Sequence, residues 1–284
     1  MPPPMELTVR DRDIIRHVGR HRFLRSHQII ALTGVSSQQI LRRLQLLYHH
    51  GYVERPRAQI DYYHRGGSRH IVYGLGDRGG ALLRKEGLVA RADWGAKNRS
   101  VGRIFLEHAL FVSDVMTAIE LACRASGIRL LTEGDLDSRR PFRWRVELNS
   151  QVKLGVIPDR VFGLEYRNVS GNAGRVYFFL EADRGTMPVM RANLSQTSFY
   201  RKLLAYQATW AAGIHSTRFG FHRFRVLAIT TSRARMQSLI DACKQLPRGQ
   251  GLFLFADKTI LENPHNVLST VWRTAKGECA GLLT

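Results

Sequence analysis

Two apolar segments that both end in acid constrain this chain more than any other feature. They lie within residues 156–186. The first opens Val156-Ile157-Pro158-Asp159, and the second runs Val176-Tyr177-Phe178-Phe179-Leu180-Glu181-Ala182-Asp183. Both read as strands, over 156–164 and 175–182, joined by a turn at 170–174 rich in glycine. Side chains alternate along a strand, so Glu181 and Asp183 share one face. Two carboxylates that close repel each other unless a positive charge stands between them. The pattern therefore asks for a counter-charge: a metal ion, or an arginine such as Arg160, Arg184 or Arg191.

The charge is uneven along the chain. The formal net charge is +20, and the first hundred of 284 residues carry half of it. Such an excess speaks to partners, and phosphate rewards it through counterion release. Nucleic acid is the expected partner; an anionic membrane surface is the alternative. No apolar run is long enough to span a bilayer, and the N-terminal residues lack the apolar core of a signal peptide. Cys123, Cys243 and Cys279 are too scattered for a disulfide framework or a zinc knuckle. These features place the protein in the cytoplasm, away from membranes, with Cys123 and Cys243 in the core.

Within the basic third, Thr8 and Asp11 mark a helix start with a capping box, followed by Ile14, Ile15 and Val18. A short helix begins at Ser26 and stops at Gly34. A longer one begins at Ser36, with Gln39 completing a second capping box, and stops before Gly51. Its Ile40, Leu44 and Leu47 should face inward. Gln38, Arg42, Gln45 and His49 form the opposite stripe, with Gln39 and Arg43 beside them. Strand-like runs at 52–55 and 71–73 flank a basic, glycine-rich turn that contains Arg65 and Arg69. This order resembles a winged helix-turn-helix, whose recognition helix enters the major groove of duplex DNA. Arginine reads guanine and glutamine reads adenine through paired hydrogen bonds. The resemblance implies DNA contacts by Gln38, Gln39, Arg42, Arg43, Arg65 and Arg69. Modules of this kind often work as homodimers, although no heptad seam is visible here.

Residues 1–88 form this first domain in the sequence reading. Residues 89–103 lose periodicity and read as a linker, and 104–284 form a second domain. There the expected elements are a helix at 104–125, a strand at 128–132, the two acidic strands, a helix at 195–212, a strand at 224–230, a helix at 234–246 and a strand at 251–256. Glu107 and Asp114, seven apart, share a face of the first helix. The fold class is mixed α/β (α+β).

That order, with its acids, resembles the PD-(D/E)XK nuclease-like fold over about residues 104–230. The resemblance implies that Asp159 and Glu181 bind Mg2+ or Mn2+, and that Glu107 matches an acid some branches place on the first helix. The metal would polarise a phosphate oxygen and lower the pKa of water. The family's lysine two residues after the glutamate is replaced here by Asp183. Lys202, on Lys202-x-x-x-Tyr206 of the next helix, is then the lysine that would reach in. The catalytic set so implied is Asp159, Glu181, Asp183 and Lys202.

A narrower resemblance covers nearly the whole chain. It rests on the winged-helix order, Leu106-Glu107-His108-Ala109-Leu110, Ile157-Pro158-Asp159, Leu180-Glu181-Ala182-Asp183-Arg184-Gly185-Thr186, and Ser198-Phe199-Tyr200-Arg201-Lys202-Leu203-Leu204-Ala205-Tyr206. Together these are similar to the replication-relaxation family of plasmids and integrative elements. The resemblance implies double-stranded DNA as partner, with replication or mobilisation proteins alongside. Two readings follow: a DNA-binding factor that does not cut, or a metal-dependent endonuclease or nickase. The missing lysine at position 183 favours the first. A scaffold that recruits replication or relaxation enzymes is a third.

Overall fold

The computed structural model describes residues 5–60, 70–88, 94–136, 141–148, 152–167, 171–269 and 271–283. The chain is mixed α/β and divides into two compact units, Met1–Thr117 and Ala118–Thr284. The division falls within one long helix rather than near residue 100.

The first unit contains α1 (Val9–His21), β1 (Phe23–Arg25), α2 (Ser26–Thr33), α3 (Ser37–His49), β2 (Val53–Glu54), β3 (Val72–Leu75), α4 (Asp77–Lys85) and α5 (Gly95–Arg99). It also holds the first part of α6 (Arg103–Ala125). The Thr8–Asp11 capping box forms as expected: the Thr8 hydroxyl accepts from the Asp11 amide at 3.2 Å, and Asp11 accepts from the Thr8 amide at 2.8 Å. Ile14, Ile15 and Val18 of α1 are fully buried, as are Ile40, Leu44 and Leu47 of α3. Each such side chain contributes about 1.5–3 kcal/mol of burial. Gly34 closes α2 in the left-handed region that glycine favours. The start of α4 lies almost on the turn after α3. A Cβ on Gly76 would sit 2.3 Å from the Gly51 carbonyl oxygen, and one on Gly79 would sit 2.1 Å from that of Tyr52. Only glycine permits that approach.

Three expectations are corrected here. No second capping box forms on α3, because the Ser36 side chain makes no cap bond. Gln39 instead accepts from Arg10 Nη1 at 3.1 Å. The strand β1 was not expected; it pairs antiparallel with β3, giving a three-stranded sheet in the order β1-β3-β2. Residues 94–99 are not a linker. They hold α5, whose buried Asn98 donates to the Leu75 carbonyl at 2.9 Å and whose Arg99 donates to Glu54 at 2.6 Å. Arg65 and Arg69 lie outside the described residues.

The second unit holds β4 (Arg129–Leu131), β5 (Trp144–Glu147), β6 (Lys153–Val156), β7 (Arg160–Arg167), β8 (Ala173–Asp183), α7 (Phe199–Ala211), α8 (Ile214–Phe219), β9 (Phe224–Thr230), α9 (Arg233–Lys244), β10 (Phe253–Asp257), β11 (Trp272–Arg273) and β12 (Cys279–Ala280). Seven strands form one sheet in the order β12-β11-β10-β9-β8-β7-β4. β8, β9 and β10 run parallel; the outer pairs are antiparallel. The expected single strand at 156–164 is two strands in two sheets. β6 ends at Val156 and pairs with β5, whereas β7 begins at Arg160. Pro158 has no amide hydrogen to offer a ladder, which breaks the strand there.

One face of the large sheet buries Phe179 and Phe253 with Leu203 and Tyr206 of α7 and Leu239 of α9. On the opposite face Phe162 stacks on Phe178 across β7 and β8, with centroids 5.1 Å apart. The β5–β6 hairpin is tied to α7 by Trp144 Nε1, which donates to Thr209 Oγ1 at 2.8 Å. The helix expected at 195–212 begins only at Phe199, capped by Ser198. Trp210, expected on its buried face, is 40% exposed. Cys123 and Cys243 are buried and Cys279 is exposed. Among the described residues, no helix is long and apolar enough to cross a membrane.

Candidate functional site

The carboxyl end of β8 gathers the acids singled out in the sequence. Glu181 is only 2% exposed and is held from α7. Lys202 Nζ donates to Glu181 Oε2 at 2.5 Å, and the Tyr206 hydroxyl donates to Oε1 at 2.5 Å. Lys202 and Tyr206 are four apart, one helical turn, so both reach the same point on the strand. Burial pushes the Glu181 carboxyl up, the nearby charge of Asp159 adds to that, and Lys202 opposes both without reversing the shift. Burial would lower the Lys202 ammonium, yet Glu181 and then Asp159 outweigh it, so Lys202 is held above its ordinary value. Tyr206 is pushed far up by burial and by Glu181, and so stays a donor.

Asp159 stands in the break before β7. Its amide donates to the Leu180 carbonyl at 3.0 Å, and its Oδ2 accepts from the Ala182 amide at 2.8 Å. Those two bonds fasten its carboxylate to the end of β8. Asp183 is also buried. It lies in register with Thr230 of β9, whose hydroxyl donates to Oδ2 at 2.9 Å. Arg235 grips it with two nitrogens: Nε to Oδ2 at 2.8 Å and Nη2 to Oδ1 at 3.1 Å. The same Nη2 also donates to the Met187 carbonyl. The counter-charges required by the sequence are therefore Lys202 for Glu181 and Arg235 for Asp183. Of the arginines raised for that role, Arg160 donates to the Asp159 carbonyl and Arg191 to Gln196.

This donor set does not fit a divalent cation as placed. A small divalent ion needs carboxylate oxygens converging at about 2.0–2.6 Å. Both oxygens of Glu181 and both of Asp183 already accept from fixed donors. Among the described residues, the three acids do not bring ligand atoms within 4.8 Å of one another. Glu107 belongs to the first unit, where it accepts from Arg103 Nε at 2.9 Å. Asp114, on the same helix, accepts from Arg25 and from Gln28.

The first unit offers a different kind of surface. Gln38, Gln39, Arg42, Gln45 and His49 are all exposed on α3. Arg43 is not part of that open row. Its Nε donates to Asp11 Oδ1 at 2.8 Å and its Nη2 donates to Oδ2. Asp11 is fully buried. Burial alone would raise its carboxyl, but hydrogen bonds from Arg43 and Thr8 together hold it below the ordinary value. Asp11 thus caps α1 and anchors α3 with one carboxylate.

Arg235 was missed in the sequence. The available signal was its place on the first turn of α9, which Ser232 caps directly after β9. A helix that follows a parallel strand starts beside the carboxyl end of its neighbour, where Asp183 stands.

No curated protein matches the chain, and no solved structure matches it. The sequence model of the replication-relaxation family matches residues 15–223. That span covers most of the first unit and includes Asp159, Glu181, Asp183, Lys202 and Tyr206. It stops one residue before β9. With well over half of its length matched, the chain belongs to the replication-relaxation family.

Proposed function

We propose that the protein is a DNA-binding factor of a mobile genetic element, acting in its replication, relaxation or mobilisation, or in their control. The first unit acts as a winged helix-turn-helix, with α3 in the major groove and the β2–β3 connection as wing. The observation that carries this reading is the exposed row Gln38, Arg42, Gln45 and His49 on a helix anchored from behind by Arg43 and Asp11. Long polar side chains on a fixed helix suit base edges. Arg65 and Arg69 are assigned to phosphate or the minor groove from their sequence positions alone. The net charge of +20 supports a polyanionic partner.

The test is selection from a random duplex library, followed by fluorescence anisotropy on the enriched site. The expected result is a site whose affinity falls steeply with salt and is lost when α3 is altered. Failure to enrich any duplex, with no salt-dependent binding, sinks the reading.

A second reading makes the other unit a PD-(D/E)XK-type endonuclease or nickase built on Asp159, Glu181, Asp183 and Lys202. It is favoured by one observation: Lys202 Nζ reaches Glu181, where the family's missing lysine would act. The engaged carboxylates weigh against it. Supercoiled plasmid with Mg2+ or Mn2+ decides. Nicking abolished by Asp159→Ala and Glu181→Ala supports cutting; intact plasmid carrying the selected site excludes it.

A further inference from the structure

One apolar side chain stands among the polar ones of α3. Leu41 is 45% exposed, whereas Ile40, Leu44 and Leu47 of the same helix are fully buried. Among the described residues of α3 it is the one large apolar side chain left exposed. With about 3.6 residues per turn, Leu41 falls beside Gln38, three positions before it, and Gln45, four after it. Those two residues and Arg42 are exposed. Leu41 therefore borders the polar row on one side. Gln39 borders it on the other, where Arg10 Nη1 of α1 donates to its Oε1 at 3.1 Å. The helix that carries the row is held from behind, since Arg43 Nε donates to the buried Asp11 at 2.8 Å.

An exposed leucine in such a row calls for a partner of matching chemistry. A docked protein, or a second copy of this chain, is matched by a contiguous apolar patch. The neighbours of Leu41 in the row are instead glutamine and arginine. The major groove of duplex DNA has the complementary make-up. Its base edges offer donors and acceptors to Gln38, Arg42 and Gln45, and the apolar group it presents is the C5-methyl of thymine. The charge points the same way, with half of the net +20 in the first hundred residues. We propose that Leu41 reads the C5-methyl group of a thymine in the duplex bound by α3. It thereby favours thymine over cytosine, which lacks that methyl. This role rests on α3 entering the major groove, and it adds an apolar determinant to a row that otherwise reads by hydrogen bonds.

The test uses the full-length protein and the duplex enriched by selection. Each thymine of that duplex is replaced in turn by deoxyuridine, which keeps the Watson–Crick edge and lacks only the methyl. Fluorescence anisotropy reads the affinity. The expected result is a position at which uracil weakens wild-type binding by about fourfold, the worth of one buried methyl group. Leu41→Ala should weaken the thymine duplex by about the same factor and bind the thymine and uracil duplexes equally. Alanine is the strongest helix former and position 41 is exposed, so this variant should keep its fold. Tolerance of uracil at every position, with duplex binding intact, removes Leu41 from the bases and leaves the proposed function standing. A uracil penalty that persists in Leu41→Ala assigns the methyl to another side chain and overturns the role. Unchanged DNA affinity in Leu41→Ala together with an altered oligomeric state, read by light scattering, assigns Leu41 to a protein contact instead. If no duplex is enriched at all, the reading of α3 itself fails, and the role of Leu41 falls with it.

Discussion

Lys202 Nζ lies 2.5 Å from Glu181 Oε2, and that contact is the main positive charge offered to a carboxylate only 2% exposed. Removing it leaves Glu181 buried with Tyr206 and without a cation. Breaking a fully buried pair costs about 3–5 kcal/mol. Lys202 is 36% exposed, so the expected loss for Lys202→Met is smaller, about 2 kcal/mol. Urea denaturation at neutral pH measures it, and an unchanged midpoint would refute it. Adding Glu181→Gln should recover part of the loss.

The same pair carries an alkaline signature. Lys202 is held above its ordinary value of 10.5, with Glu181 and then Asp159 outweighing the effect of burial. Its contribution is complete below that value and disappears as pH rises through the folded-state value. The stability gap between wild type and Lys202→Met should therefore narrow above about pH 10.5. A gap that stays constant into that range would exclude the pairing.

Asp11 behaves in the opposite sense. Burial raises its carboxyl, but the hydrogen bonds from Arg43 and Thr8 prevail and hold it below 3.8. Its contribution is present above 3.8 and is lost as pH falls through the lower folded-state value. Asp11→Asn should cost about 3 kcal/mol at neutral pH and less in strong acid. Equal losses at both pH values, read by denaturant unfolding, would show that the charge on Asp11 plays no part.

Two neighbouring arginines should separate cleanly. Arg42→Ala should weaken the selected duplex by about 1–3 kcal/mol without moving the thermal midpoint. Arg43→Ala should lower the midpoint, because it strands the buried Asp11. Identical stability in the two variants would contradict the anchoring role of Arg43.

The thiols give a simple chemical check. Burial pushes Cys123 and Cys243 up to about 12, with Glu120 adding to the effect at Cys123. Neither forms thiolate at neutral pH, and neither is open to reagent. Cys279 alone should be labelled by an aromatic disulfide reagent in the native protein, with the other two following on unfolding. Prompt labelling of Cys243 would contradict its place in the core.

Features of short range were readable in the sequence. The Thr8–Asp11 box, the limits of α2, the buried stripe of α3 and the span of β9 depend on capping and periodicity within a few residues. Of the short strands, β2 and β4 fall within the runs expected at 52–55 and 128–132, but the others were not readable. β1 has three residues, too few to show alternation, and its partner Gly74 lies about fifty positions from Phe23. β5 hid within a polar, arginine-rich stretch, and β11 and β12 have two residues each. The candidate site divides in the same way. Lys202 and Tyr206 advertise themselves by helical spacing on one element. Arg235 meets Asp183 across 52 positions, a distance over which local pattern carries no information.

The double use of Asp11 has a consequence for how this protein can change over generations. Position 43 is tied to position 11, so either residue can be replaced safely only if the other changes with it. Gln38, Arg42, Gln45 and His49 carry no such tie to Asp11. The outward row of α3 can drift, or be randomised in a library, while the packing beneath it stays the same. If α3 reads duplex DNA as proposed, new specificities are reachable by single substitutions, without a stabilising change first.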